Sequence, residues 1–189
     1  MNTPAHLLLA AAVFAKPECP KITVSAITGA LLPDVSLYVM AGFSLFILDN
    51  SPGYVFATQY FSTNWQQVFA IDNSFILWAI LGGLALWLRK SWLIALTGGA
   101  LLHLCFDFPL HHDDARMHFW PVSTWVFESP LSYWDSQHFG GIISLLEQLM
   151  VISILVLLWR RFKTVPIRVF YILLTVAELA PVIIFALMF

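Results

Sequence analysis

The chain has 189 residues, of which 60% are hydrophobic and 11% charged, and a formal net charge of −2. Soluble domains carry roughly 25% charged residues, so a soluble domain is not expected, and no basic patch points to nucleic acid. The length fits one domain, and the two cysteines, Cys19 and Cys105, have neither CxxC nor zinc-finger spacing.

Residues 6–15 form a short apolar segment. A signal peptide would carry its basic residues first, whereas Lys16 follows the apolar stretch, so the segment reads as retained. Thr3 or Asn2 is the expected cap, with Pro4 in the first turn. The segment is too short to span a membrane alone and is expected to be half-inserted or buried against its neighbours.

A Pro-rich turn over 16–21 leads into an apolar run, 22–48, interrupted by Pro33 and Asp34. A carboxylate inside a membrane run is costly and usually faces a cavity. Pro33 breaks the helical ladder, and irregular backbone at that depth is tolerated where it is buried or lines a cavity. Asp34 is therefore a site candidate; the plainer reading is a kinked helix in which it caps the following turn.

The stretch 49–71 is polar and aromatic and reads as a surface-lying helix or loop. Asp72-Asn73-Ser74 then caps a span over 75–88, Arg89-Lys90 makes a tight turn, and 92–108 returns, with Gly98-Gly99 allowing close helix contact. Spans over 140–159 and 167–189 complete the chain. They contain Glu147 and Glu178, read either as functional carboxylates or as protonated groups bonded to a neighbouring helix. The expected fold is an all-α integral membrane bundle, a single domain over 1–189. It has about five or six hydrophobic segments, some short or broken, and a polar His/Asp-rich loop over 109–138.

Chemistry concentrates in 101–138, which holds five of the six histidines. Imidazoles and carboxylates are what a divalent metal asks for, since both bind through a lone pair on N or O. His103 and Asp107 are four apart, so on a helix they share a face about 6 Å apart at Cβ. Pro109 stops that helix. His111-His112-Asp113-Asp114 would then sit in the mouth of a site whose floor is His103 and Asp107. The candidate metal ligands are His6, Asp34, Asp72, His103, Asp107 and His118. His111, His112 and Asp113 are candidates to complete the sphere or act as general base, and Arg116 to neutralise developing phosphate charge. Each has a plainer reading: a capping His6, a solvated 111–114 loop, and Cys105 as packing on the opposite helix face. Phe119, Trp120, Trp125, Phe127, Tyr133 and Trp134 form either a headgroup-level belt or a slot for a lipid.

Lys16, Lys21, Arg89, Lys90, Arg160, Arg161, Lys163 and Arg168 fall on one side of this layout, and only Arg116 on the other. The positive-inside rule makes the first side cytoplasmic. Every histidine then lies toward the opposite face, which in a bacterium is periplasmic.

His6-Leu7-Leu8, Leu31-Leu32-Pro33-Asp34, and His103-x3-Asp107 with a loop running to Trp120-Pro121 resemble the bacterial membrane-bound metal-dependent hydrolases, a family that includes a LexA-regulated inner-membrane protein. The resemblance covers 6–127 and implies metal-site roles for His6, Asp34, His103 and Asp107. It departs at the family's HR-x-x-THS element, where this chain reads Phe69-Ala70-Ile71-Asp72-Asn73-Ser74. Two histidines are missing there, with Asp72 or Asn73 as substitutes, while His111, His112 and His118 are extra. Short relatives sharing the FPLHHDDAR-HFWP stretch are often labelled cobalamin-biosynthesis proteins. The chain carries no amidotransferase Cys-His arrangement and no nucleotide loop to match that label.

The expected function is a metal-dependent hydrolase of the bacterial inner membrane. It would act at the periplasmic face on a membrane lipid or a lipid-linked phosphate or ester, with a divalent metal, zinc first, activating water. The alternative is a non-enzymatic metal-binding membrane protein, a transport component or sensor, with Glu147 and Glu178 on its path. A third reading is a structural protein whose polar loop docks another chain.

Overall fold

The computed structural model describes residues 1–188, with side chains through Pro181, and no strand occurs among them. Seven helices carry the fold: α1 (Thr3–Phe14), α2 (Pro20–Phe46), α3 (Thr63–Asp72), α4 (Phe75–Trp87), α5 (Ser91–Asp107), α6 (Gly140–Arg161) and α7 (Val165–Met188). Pro20–Phe46, the α3–α4 stretch Thr63–Trp87 and Gly140–Arg161 are long and apolar enough to cross a membrane. α1 and α5 are apolar but shorter; at 1.5 Å per residue they cover about 18 and 26 Å against a hydrocarbon core of about 30 Å. Length and composition thus carry three of the five or six expected segments. The last, 167–189, ends on Phe189, outside the described residues.

α2 runs unbroken through Pro33, although the sequence suggested an interruption. Pro33 has no N–H, so the carbonyl of Gly29 lacks its helical partner, and polar side chains of neighbouring elements reach two other carbonyls of the same stretch. The carbonyl of Ala30 accepts from His103 Nδ1 at 2.7 Å, and that of Pro33 accepts from Asn73 Nδ2 at 3.0 Å. Asp34 consequently caps nothing. It sits mid-helix, buried, on the same face as these contacts.

α2 and α5 form the most intimate pair. A Cβ on Gly29 would collide with the backbone of Leu96, and one on Gly99 with the carbonyl of Ala26. Gly99 therefore does what its sequence context suggests, while Gly98 lies against the ring of Phe14. This close approach is what brings the C-terminal turn of α5 level with Asp34.

α1 is buried against α2, α6 and α7. Ala5, Leu8, Ala10 and Ala11 are inaccessible, and Leu8 and Ala11 join Val151, Leu158 and Tyr171 in the main core cluster. Small residues along α1 let three helices close on it. Asn2 occupies its N-cap position without capping it. The Asn2 side chain is drawn away to Glu178, Nδ2 to Oε1 at 2.9 Å, while its backbone NH donates to Glu147 Oε1 at 2.7 Å. Cys105, expected to pack, is exposed on the outer face of α5.

The basic residues gather at one end of the bundle. Lys21 lies 4.6 Å over the Trp92 ring, Arg161 donates to the carbonyls of Ala12 and Ala15, and Arg168 to those of Phe162 and Trp159. The Arg89 turn, with φ at 52°, is at this end. At the other end Ser74 caps α4 as expected, accepting from Leu77 NH at 3.1 Å. The loop 108–139 is laced down there by Ser129 NH to His111 O, Tyr133 NH to Leu110 O, and Phe75 NH to His118 O.

Candidate metal centre and its cavity

Three helices meet at Asp107. From one turn back on α5, His103 sets Nε2 3.0 Å from Asp107 Oδ2, the i,i+4 geometry the spacing implied. α1 contributes His6, whose Nε2 is 2.7 Å from Asp107 Oδ1 and whose ring stacks on that of His103 at 3.6 Å and 13°. α2 contributes Asp34, with Oδ1 3.7 Å from His103 Nε2 and Oδ2 accepting from Thr3 Oγ1 at 2.5 Å. The Met1 nitrogen also lies 2.7 Å from Asp107 Oδ1. Past the Pro109 stop, His111 lies between two carboxylates, 3.4 Å from Asp107 and 2.9 Å from Asp114. His6, His103 and Asp107 retain 1%, 0% and 6% of their accessibility.

This donor set fits a cation. A carbonyl only accepts, so His103 Nδ1 carries the proton that bonds Ala30 O. Nε2 then faces Asp107 Oδ2 either as the second N–H of an imidazolium, which pairs with the carboxylate directly, or as a lone pair, in which case a cation between the two acceptors would reconcile them. Backbone-carbonyl support of a histidine is also how ligating imidazoles are usually oriented. His6 Nδ1 is buried without a partner. The three residues offer ligand atoms that all lie within 4.8 Å of one another. Nitrogen and oxygen donors of this kind suit zinc and its first-row neighbours.

Of this group Asp107 lines a cavity of about 730 Å³, while His6 and His103 lie behind it. Asp34, Asp107, His111, Asp113, Asp114 and Arg116 form its polar side. Leu37, Phe56, Phe61 and Ala177 form an apolar wall. Arg116 is only 6% exposed, yet its Nε and Nη1 have no hydrogen-bond partner. Its one polar contact is Nη2 to Tyr60 Oη at 3.4 Å, and the guanidinium lies 4.6 Å over the Phe69 ring. Burial opposes its charge, but Tyr60, Asp34 and Asp107 more than offset that and push its pKa up. Burial alone would likewise lower His111; Asp107, through charge and hydrogen bonding, and Asp114 reverse the direction and raise it.

Of the residues singled out from sequence, His6, Asp34, His103, Asp107 and His111 are brought together, with Asp113 and Arg116 on the same cavity. His112, His118 and Asp72 lie apart from it. His112 bonds Ser129 O through Nδ1 at 2.7 Å and stacks on His138. His118 bonds Asn73 O at 2.9 Å between the rings of Phe75 and Phe108, and burial drives its pKa down to about 4. Asp72 accepts from Asn73 Nδ2, and its carbonyl from Trp78 Nε1. Tyr133 and Trp134 line the cavity, whereas Trp125 and Phe127 pack with Phe108 and Phe119. Asp114 as the partner of His111 is legible in their i,i+3 spacing. The convergence of Thr3, Tyr38 and Tyr60 on the site leaves no local pattern.

No family model matches the chain, and neither does any curated protein or solved structure.

Proposed function

We propose that the chain is a metal-dependent hydrolase of amphipathic esters, lying in the bacterial inner membrane with its site toward the periplasm. The observation that carries this reading is a buried His6–His103–Asp107 group whose Asp107 lines a cavity with both polar and apolar residues in its lining. The resemblance to membrane-bound metal-dependent hydrolases supports it from the sequence. Zinc is the proposed ion, held by His6, His103 and Asp107 with Asp34 beside them. When bound, such an ion supplies Lewis-acid activation of water, lowering its pKa toward about 7.

The remaining work falls to the chain. The Ala30 carbonyl fixes the His103 ring, and the Thr3 hydroxyl holds Asp34. His111, between Asp107 and Asp114, carries a proton between the attacking water and the leaving oxygen. Arg116 faces charge developing on the substrate. Leu37, Phe56 and Phe61 exclude water and receive the apolar part.

The test is His111→Gln, assayed for metal content and for release of phosphate or fatty acid from a panel of bacterial lipids and lipid-linked phosphates. Metal should stay, and turnover should fall about 10²–10⁴-fold. A folded, metal-loaded wild type inert on the whole panel would sink the reading. Sidedness rests on the basic end of the bundle. Engineered thiols at Ser123 and Ser136 should label from outside intact cells while one at Ser91 stays protected; labelling at Ser91 alone would reverse the orientation.

One observation favours the second reading, a metal-binding transport component. Glu147 and Glu178, on different helices, both reach Asn2 and leave their Oε2 atoms buried without partners. On that reading Glu147→Gln abolishes metal uptake into vesicles; on the hydrolase reading it leaves turnover within a few fold.

A further inference from the structure

Two of the other arginines, Arg161 and Arg168, show what a structural arginine does here. Arg161 and Arg168 are more accessible than Arg116, and both spend their NH groups on backbone carbonyls, with contacts down to 2.7 and 2.8 Å. Arg116, buried and lining the cavity, makes no ion pair among the described residues and has only the 3.4 Å contact to Tyr60. A buried guanidinium without a partner is strongly unfavourable. Its guanidinium carbon nonetheless lies 4.6 Å from the centre of the Phe69 ring and 5.9 Å from that of Tyr60, with Nε and Nη1 left over. Nη2 keeps a second N–H beside its contact to Tyr60, and paired with Nε or with Nη1 it forms the fork that grips two oxygens of a phosphate or carboxylate in parallel.

We propose that Arg116 is the specificity determinant for a phosphate monoester of an apolar alcohol, which deepens and rests on the hydrolase reading. A monoester has three non-bridging oxygens, enough to engage the guanidinium fork and still present one to the His6–His103–Asp107 group. A diester has only two. The alcohol lies along Leu37, Phe56, Phe61 and Ala177, a wall that a sugar or other polar alcohol would leave unsatisfied. Phe56 and Phe61 are themselves about half exposed, so the apolar wall continues to the outer surface of the bundle, where a lipid tail would enter. In the reaction, the oxygen of water bonds to phosphorus, the bond from phosphorus to the alkyl oxygen breaks, and the proton released by water ends on that alkyl oxygen. The products are the alcohol and inorganic phosphate.

The test uses the zinc-loaded full chain in nanodiscs and reads binding, so it stands apart from turnover. The probes are hexylphosphonate, which cannot be hydrolysed, hexanoate, hexyltrimethylammonium and inorganic phosphate. Wild type should prefer hexylphosphonate to each of the others by about 10-fold or more. Arg116→Met should lose about that factor for hexylphosphonate, and Arg116→Lys, which keeps the charge without the fork, should fall between. Equal affinity for hexanoate or for inorganic phosphate would overturn the substrate class. Undiminished hexylphosphonate binding by Arg116→Lys and Arg116→Met would overturn the role of Arg116. Should Arg116→Met fail to fold, the wild-type selectivity and Arg116→Lys still decide. The His111→Gln turnover assay judges the hydrolase reading independently of either result.

Discussion

The molecule contains two stacked imidazole pairs, built from the same residue types and put to different ends. His6 and His103 stack at 3.6 Å and 13°, His112 and His138 at 3.7 Å and 24°. Each pair has a carboxylate in hydrogen-bond reach, Asp107 for one and Asp135 for the other. The first pair comes from two helices packed in the core, with no accessible ring and its ligand atoms converging on one carboxylate. The second sits on the water-facing loop, and its contacts are local: His112 to Ser129 O, His138 to Asp135 three residues back. Burial and convergence from distant segments, not histidine content, separate a candidate ligand site from a loop latch. Metal affinity and stability should therefore respond very differently to equivalent substitutions in the two.

The largest effect is expected at Asp107. Its carboxylate is approached by His6, His103, His111 and the Met1 nitrogen. Asp107→Ala removes the common partner of all four, and breaking a buried charged network of this kind costs about 3–5 kcal/mol. Metal should be lost as well. Denaturation in mild detergent, with metal analysis of the same samples, reads both. An Asp107→Ala variant no less stable than Asp135→Ala would erase the distinction between the two pairs.

Next come the supports of the first pair. His103→Ala removes the side-chain donor to the Ala30 carbonyl, worth about 0.5–1.5 kcal/mol for a hydrogen bond, and should also empty the site. Thr3→Val is gentler: it removes the hydroxyl that bonds Asp34 and Tyr38, and loss of such an outer partner typically weakens metal binding about 10–100-fold. Stoichiometric metal persisting in both His103→Ala and Asp107→Ala would refute shared ligation.

How much of this was legible in the sequence follows from the range of each contact. His103 and Asp107 are i,i+4 on one helix, and Ser74 caps the turn it precedes, so local periodicity reveals both. The α2–α5 contact was half visible: Gly99 stands out in a Gly-Gly pair, but Gly29, its counterpart, looks like any glycine in an apolar run. Pro33 was misleading because the helix continues through it, in a stretch held against Asn73 and His103, 40 and 70 residues away in sequence. His118 and Asp72 have the right chemistry in the right stretch, yet the aromatic packing of Phe75 and Phe108 turns His118 to Asn73. Asn2 could not be read as anything but a cap, since the carboxylates that claim it lie on α6 and α7.

The smallest effect belongs to the loop pair. Asp135 is on the solvent-facing side, and its carboxyl is held below the usual range by the hydrogen bond from His138 and then by the Gln137 NH. A depressed carboxyl stabilises the folded loop above the ordinary aspartate value, about 3.9, and that contribution fades as pH falls through the lower folded value. In His138→Gln the carboxyl loses its principal partner, so its titration should move up toward the ordinary value, followed by the side-chain carboxyl signal of Asp135 in NMR between pH 2 and 6. At neutral pH the same variant should keep wild-type metal content and turnover, because neither His138 nor His112 lines the cavity. A fall in metal content approaching that of His103→Ala would place the loop pair in the site after all. Such a fall would also restore His112 to the ligand set its position beside His111 had suggested.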